Sequence, residues 1–340
     1  MKFTKSLNLF LVLAVLIMAF SCKSEQKEQH LSHVVSTDEL LTANQPELPV
    51  FGNLVEVKST GMNFILPDEI PSGWTTFRYS NVSPVTHFML FDKLPVVDGK
   101  QITYADFGQI APIFGDAMNL INEGNAEAGF AEFSRLPSWF SEIIFSGGVG
   151  MVSPGETAQT TIFLEAGTYV LECYVKTNGI FHPMSKQVIV KESFLNILTP
   201  TATLDLTISR EDGIEMPAEV LAGLQTIAVH FKDQEPHEHF LGHDVHLVKL
   251  ENDTDLKKLN SWMTWTAPDG LNTPAPVTFL GGAQEMPAGG TAYITIDLKP
   301  GKYAWIAEVP DPASKNMLKT FTVQETTEAL SKPDSSSKNN

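Results

Sequence analysis

The chain has 340 residues, 43% of them hydrophobic and 19% charged, an ordinary composition with room for two domains that each bury a core. Forty acidic residues against 23 basic ones give a net charge of −17; without a leader that carries Lys2 and Lys5, 21 basic residues remain and the charge is −19. Such a surface repels phosphate backbones and no basic patch interrupts it, which argues against nucleic acid as a partner.

In chain order, Lys2 and Lys5 form a charged start, residues 7–20 an apolar run too short for a comfortable transmembrane span, and Ala19-Phe20-Ser21 precedes Cys22. This resembles a bacterial lipoprotein signal (1–22), in which the cysteine is acylated and becomes the first mature residue. The resemblance implies a lipidated Cys22, a membrane partner reached through the lipid anchor, and a place in the cell envelope, as an outer-membrane lipoprotein facing the periplasm or the surface. An ordinary secretory signal with an incidental cysteine is the alternative. Residues 23–46 are polar and rich in Glu, Gln, Lys and Ser, the composition of a flexible tether. With Cys22 lipidated, Cys173 is the only thiol left, so no intramolecular disulfide can form. Most such cysteines are small buried hydrophobes.

Residues 54–64 and 73–81 alternate as strands, with Pro67 and Pro71 marking the turn between them. The next strand is 84–92, with His87 near its start. Residues 104–121 and 126–144 carry apolar residues at helical spacing, broken by Pro112 and Pro137, which predicts a helical insertion over about 98–146. Strand signals resume after Gly147-Gly148.

The second half repeats the first. Gly147-Gly148, Thr157-Ala158, Thr161-Ile162, Leu164, Gly167 and Tyr169 recur 134 residues later as Gly281-Gly282, Thr291-Ala292, Thr295-Ile296, Leu298, Gly301 and Tyr303. Earlier, Thr86-His87 through Lys93-Leu94 aligns with Gly242-His243 through Lys249-Leu250 at an offset of 156. The change of offset places 22 extra residues in the first half, where the insertion lies, and a shorter helical piece is expected around 253–264. One repeat is too few for a solenoid, so the pattern is a tandem duplication of a globular domain, 47–195 and 200–325, with a short linker that brings the two into contact and a disordered tail at 326–340.

Within 167–190, Tyr169, Leu171 and Cys173 alternate with Thr168, Val170 and Glu172, so Cys173 is expected to end a strand facing inward. Thr177-Asn178-Gly179 is a turn signal, and His182 and Met184 follow before a strand at 188–190. Cysteine, histidine and methionine are soft or borderline ligands, the donor types of a copper site. Gly167-x-Tyr169-x-Leu171-x-Cys173 after a Pro-Gly turn, together with His87-Phe88-Met89-Leu90-Phe91-Asp92, resembles the cupredoxins, the plastocyanin and azurin class. The resemblance implies a mainly β chain of two Greek-key β-sandwich domains. In the first it implies a type 1 copper centre with His87, Cys173 and His182 as equatorial ligands and Met184 as the weak axial one. Eight residues separate Cys173 from His182 where cupredoxins have two to four, and only Pro183 separates His182 from Met184. The second domain has Ala307 at the cysteine position and no following His-x-Met, so it is not expected to hold type 1 copper although His243 is retained.

The second domain has its own histidine run at 234–246, with His237, His239, His243 and His246 beside three acids, residue types that suit zinc or copper(II). His243 and His246 lie three apart on a strand and point to opposite faces, so at most His237, His239 and His243 could share a metal; a solvated loop with one buried histidine is the plainer account. No dinucleotide loop or serine elbow is present, and the carboxylates show no spacing that singles out a pair. Trp139, Phe140, Trp262 and Trp265 could form a platform or cap a core. Two functions follow: a non-enzymatic copper protein for electron transfer or copper handling, working with a redox partner protein, or a metal-free surface module that binds a protein or glycan. A copper oxidoreductase ranks last, lacking a second copper cluster.

Overall fold

Residues 47–193, 198–237 and 242–325 are described by the computed structural model. The expectations for Cys22, the tether 23–46, His239 and the tail 326–340 lie outside the described residues.

Alternating apolar residues become strands. In the first half these are β1 (Asn53–Thr60), β2 (Asn63–Ile65), β3 (Glu69–Pro71), β4 (Gly73–Asn81), β5 (His87–Lys93), the ribbon β6 (Val96–Val97) and β7 (Lys100–Gln101), β8 (Ile144–Val152), β9 (Thr157–Leu164), β10 (Gly167–Thr177) and β11 (Ile180–Lys191). In the second half they are β12 (Leu204–Ser209), β13 (Gly213–Glu215), β14 (Val220–Leu221), β15 (Gly223–Phe231), β16 (Val245–Leu250), β17 (Asn272–Thr273), β18 (Thr278–Ala283), β19 (Thr291–Leu298), β20 (Gly301–Ile306) and β21 (Leu318–Gln324). The expected insertion is helical, with α1 (Tyr104–Phe107), α2 (Ile110–Asn122) and α3 (Ala126–Glu132), and the shorter piece of the second half is α4 (Leu256–Met263). Thr103 and Asp106 close a capping box on α1, and Asp255 caps α4.

One expectation is corrected. Cys173 does not end its strand, and His182 and Met184 do not lie in a loop. Strands β10 and β11 form one long hairpin whose register runs from Gly167↔Val190 to Thr177↔Ile180, with Cys173 opposite Met184 and Val175 opposite His182. The cause is the turn signal itself: Asn178 and Gly179 both take positive φ (53° and 75°), the two-residue turn whose twist matches a hairpin. Pro183 is tolerated because β11 has no second neighbour there; its pairing with β3 is confined to residues 189–191.

Two sheets pack face to face around one core that includes Phe77, Phe91, Val149, Ile294 and Trp305. The first has the order β13-β12-β15-β19-β9-β4-β1-β2 and the second β14-β21-β20-β16-β18-β8-β5-β10-β11-β3, with β17 also pairing β10. Each half supplies the same elements in mirrored order, a Greek-key sandwich apiece. The halves do more than touch. Strand β9 pairs with its repeat β19, and β8 with its repeat β18, so both sheets run unbroken through both halves.

The repeated glycine pairs serve a tight crossing beside this junction. A Cβ on Gly148 would stand 1.8 Å from the Met89 carbonyl oxygen, and one on Gly282 2.0 Å from that of Val245. Met89 and Val245 are themselves equivalent positions, Met89 at a register shift between β5 and β8 and Val245 one residue before the shift between β16 and β18. The bulge brings backbone against backbone, and only glycine leaves room.

The insertion covers the outer face of the second sheet. Ile113, Met118 and Ile121 of α2 are buried, and α1 lies over a satellite core of Leu94, Ile102, Phe107, Ile110, Ile143 and Val170.

Candidate metal centre and an acidic cavity

Phe91 pairs with Leu171, which puts His87, Met89, Leu171 and Cys173 on the inner face of neighbouring strands. His87 Nδ1 lies 3.4 Å from Cys173 Sγ, and the Phe88 N–H donates to the same sulfur at 3.5 Å. Both side chains are fully buried. Burial holds the His87 imidazole down at about 4, opposed by the Gly61 carbonyl, and pushes the Cys173 thiol far up, opposed by the Phe88 N–H. Without a metal the pair is a neutral imidazole beside a neutral thiol, not an activated nucleophile.

The donors present fit a soft metal ion. An imidazole nitrogen and a thiolate sulfur bound to one ion at about 2.0 and 2.3 Å, near the tetrahedral angle, stand roughly 3.5 Å apart. Met184, 3% exposed, is the direct cross-strand partner of Cys173, and such partners hold their Cβ atoms about 4.5–5.5 Å apart on one face. His182 shares that face one step further along, opposite Val175, and is half-buried. Among the described residues, the group of three or more His, Cys, Asp or Glu ligand atoms lying within 4.8 Å of one another is Asp244, His246 and Glu308, so His182 does not close on His87 and Cys173.

In the second half, His243 Nε2 meets Asp233 Oδ1 at 3.0 Å, and the rings of His237 and His243 lie 5.2 Å apart. Burial lowers both imidazoles, His237 to about 4. His243 and His246 are both fully buried, rather than one of them, because the chain from Gly242 to His246 runs straight into β16 at the junction of the halves. Asp244, His246 and Glu308 stand together, all three buried. His246 Nδ1 accepts the Met151 N–H at 3.0 Å, which occupies that lone pair, while Nε2 lies 2.7 Å from Asp244 Oδ2 without the geometry of a hydrogen bond.

The carboxylates that look scattered in the sequence converge on the outer face of the second sheet. Asp92, Glu172, Asp244, Glu285 and Glu308 line a cavity of about 110 Å³ roofed by the insertion. Asp92 and Glu172 are hydrogen-bonded to each other, which needs a proton on one of them. Tyr174 Oη donates to Glu308 Oε1 at 3.3 Å, and the Glu308 N–H donates to Asp244 Oδ1 at 2.6 Å. Burial raises Glu285 to about 8 and Glu172 to about 7, and lifts Asp92 and Glu308 well above the carboxylate range. Glu172 and Glu285 keep some accessible surface, on the cavity side. Asp92 Oδ1 and Gln284 Nε2 are buried without a partner; turning the Gln284 amide would present an acceptor instead. Lys176, lowered to about 8 by burial, gives its ammonium to Asn122 Oδ1, Trp265 O and Ala267 O at 2.9–3.3 Å.

No family model matches the chain, and no curated protein sequence matches it. Among solved structures it is similar to auracyanin B (16% identity over 38% of this chain and 94% of that one, TM-score 0.27) and to auracyanin A, a blue copper protein of Chloroflexus aurantiacus (23%, 41% and 98%, TM-score 0.25). A multicopper oxidase is similar over 80% of this chain and 88% of its own at 12% identity and TM-score 0.19. Each half has the cupredoxin-like strand order.

Proposed function

We propose that this is a non-enzymatic copper-handling protein of the cell envelope, held there by a lipid on Cys22, with His87 Nδ1, Cys173 Sγ and the Met184 thioether as its metal ligands. The observation that carries the proposal is the 3.4 Å separation of His87 Nδ1 from Cys173 Sγ. One thiolate, one thioether and one imidazole are a set that favours cuprous copper, and the ion would supply either a stored cargo or a redox couple. The chain's own residues do the rest. Neighbouring strands fix the two strong donors before any ion arrives, and the Phe88 N–H offers the sulfur a partner that favours the thiolate. The surrounding core keeps water out. The long zipped hairpin holds His182 apart from the pair, which favours copper handling over the type 1 electron-transfer centre. Ala307 in the cysteine position leaves one such centre per chain.

Competition with a chromophoric copper(I) chelator tests this. The protein should withdraw one equivalent of copper(I), Cys173→Ser should withdraw none, and His87→Ala and Met184→Leu should bind more weakly. Equal withdrawal by Cys173→Ser, or none by the native protein, would replace this reading with that of a metal-free binding module. An intense visible band on adding copper(II), lost in Cys173→Ser and in His182→Ala, would instead mark a type 1 centre that recruits His182.

A further inference from the structure

The cavity roofed by α1 and α2 lies on the face of β10 opposite Cys173, and copper handling gives it no task. Five carboxyl groups line it against a single ammonium, that of Lys176. The ammonium forms its hydrogen bonds with neutral oxygens of Asn122, Trp265 and Ala267, and of the five acids only Glu308 feels its charge, without a direct contact. Asp92, 1% exposed, holds one carboxylate oxygen in the cavity wall with no hydrogen-bond partner at all. An orphaned buried acceptor of this kind costs a fold roughly 1–3 kcal/mol, and more when charged. A purely structural core would replace these acids with apolar residues of the same size. Their concentration in one partly open cavity points to a positively charged occupant.

The remaining wall says which kind. Phe107, Phe114, Phe145, Phe181 and Tyr174 line the same cavity, so aromatic rings share its wall with the acids. Ring faces attract a weakly hydrated cation and pack against its carbon atoms. A hard divalent ion is a poor match for this wall, because Asp92, Glu172 and Glu285 do not bring three ligand atoms within 4.8 Å; the set that does among the described residues, Asp244, His246 and Glu308, has His246 Nδ1 already taken by the Met151 N–H. We propose that this cavity binds a small organic cation, a protonated or quaternary amine, with its charge toward Asp92 and Glu285 and its hydrocarbon part against the phenylalanines. The acids stand mostly as neutral carboxyls while the cavity holds no cation, which lets the fold tolerate five of them together.

The test is calorimetric titration of the full chain with butylammonium and with tetramethylammonium, beside 1-pentanol as a neutral molecule of similar shape, and calcium. Saturable binding of an ammonium probe is expected, with little or none for the alcohol or for calcium. Asp92→Asn and Glu285→Gln should each weaken it by roughly tenfold or more, and Phe181→Ala should do so by a smaller factor. Removing a buried acid should not harm folding, and thermal melting of each variant checks that. Absence of saturable binding by both ammonium probes would overturn the proposal. So would equal binding of the alcohol, which would make the cavity merely apolar, or calcium binding that Asp92→Asn abolishes.

Discussion

Thr160 and Ile294 occupy the same position in the two repeats, and they pair with each other across the junction of β9 and β19. Their neighbours pair crosswise, Thr161 with Tyr293 and Gln159 with Thr295, as a two-fold axis through the first pair requires. In the other sheet the same axis passes through Val149 and Ala283, again equivalent residues that face each other. The duplication is thus joined as two identical subunits of a symmetric dimer would be.

The first half alone should therefore dimerise. Cut from the second, residues 47–193 expose the edges of β8 and β9, which already have the register to pair with a copy of themselves. Light scattering on that fragment should give twice the monomer mass, and a stable, soluble monomer would contradict the symmetry argument.

Adding one methyl group at the crossing should be costly. Gly148→Ala and Gly282→Ala each drive a Cβ into a carbonyl oxygen at about 2 Å, a backbone clash that no rotamer relieves. A loss of about 3 kcal/mol or more is expected from urea unfolding for each. Gly155→Ala, at a turn with open space around it, should lose only the smaller cost of a positive φ.

Stability should fall as the pH rises through neutrality. The Glu285 carboxyl has an ordinary value near 4.5 in the unfolded chain and is raised to about 8 in the fold by burial, so between these the native protein holds a proton that the unfolded chain has lost. The stabilisation is complete below about pH 4.5 and is lost progressively up to about pH 8, at no more than roughly 1.4 kcal/mol per pH unit for one group. Glu285→Gln should reduce the slope of the urea midpoint between about pH 5 and pH 8, and Asp92 and Glu308 should supply what remains. An unchanged slope would show that Glu285 is ionised in the fold.

A second copper centre should be installable. In the second half His243 has a buried Nδ1 without a partner, and Ala307, fully buried, stands where the first half has Cys173. Ala307→Cys should raise the copper(I) withdrawn from a chelator toward two equivalents, and His243→Ala in that background should return it to one. A variant that folds but still takes one equivalent would mean that the Asp233 contact holds His243 in the wrong orientation.

Much of this was legible in the chain. The period-two alternation of Tyr169, Leu171 and Cys173, the offsets of 134 and 156, and Pro112 and Pro137 punctuating a helical stretch locate the strands, the repeat and the insertion. The nearness of His87 and Cys173 follows from the pairing of β5 with β10. What escaped is instructive for a physical reason in each case. The stretch from Ile180 to Gln187 reads as loop, yet it is strand, and Pro183 is tolerated within it on an unpaired edge, where a missing N–H costs nothing. Asp92 and Glu172 lie opposite inward-facing Phe91 and Leu171 in the alternation and so read as solvent-facing. They are buried only because the insertion and the second half close over that face, which no local pattern announces. The pairing of β9 with β19 is likewise a contact between distant segments, and the repeat reveals their likeness but not their meeting.

Joining the halves through β8, β9, β18 and β19 removes four sheet edges, and the strands at the four outer ends are short. Those ends are β2, β3 and β13, three residues each, and β14, with two. Beyond these short partners, stretches of β11 and β21 stay open, and in β11 Pro183 interrupts the row of amides that a neighbouring copy would extend.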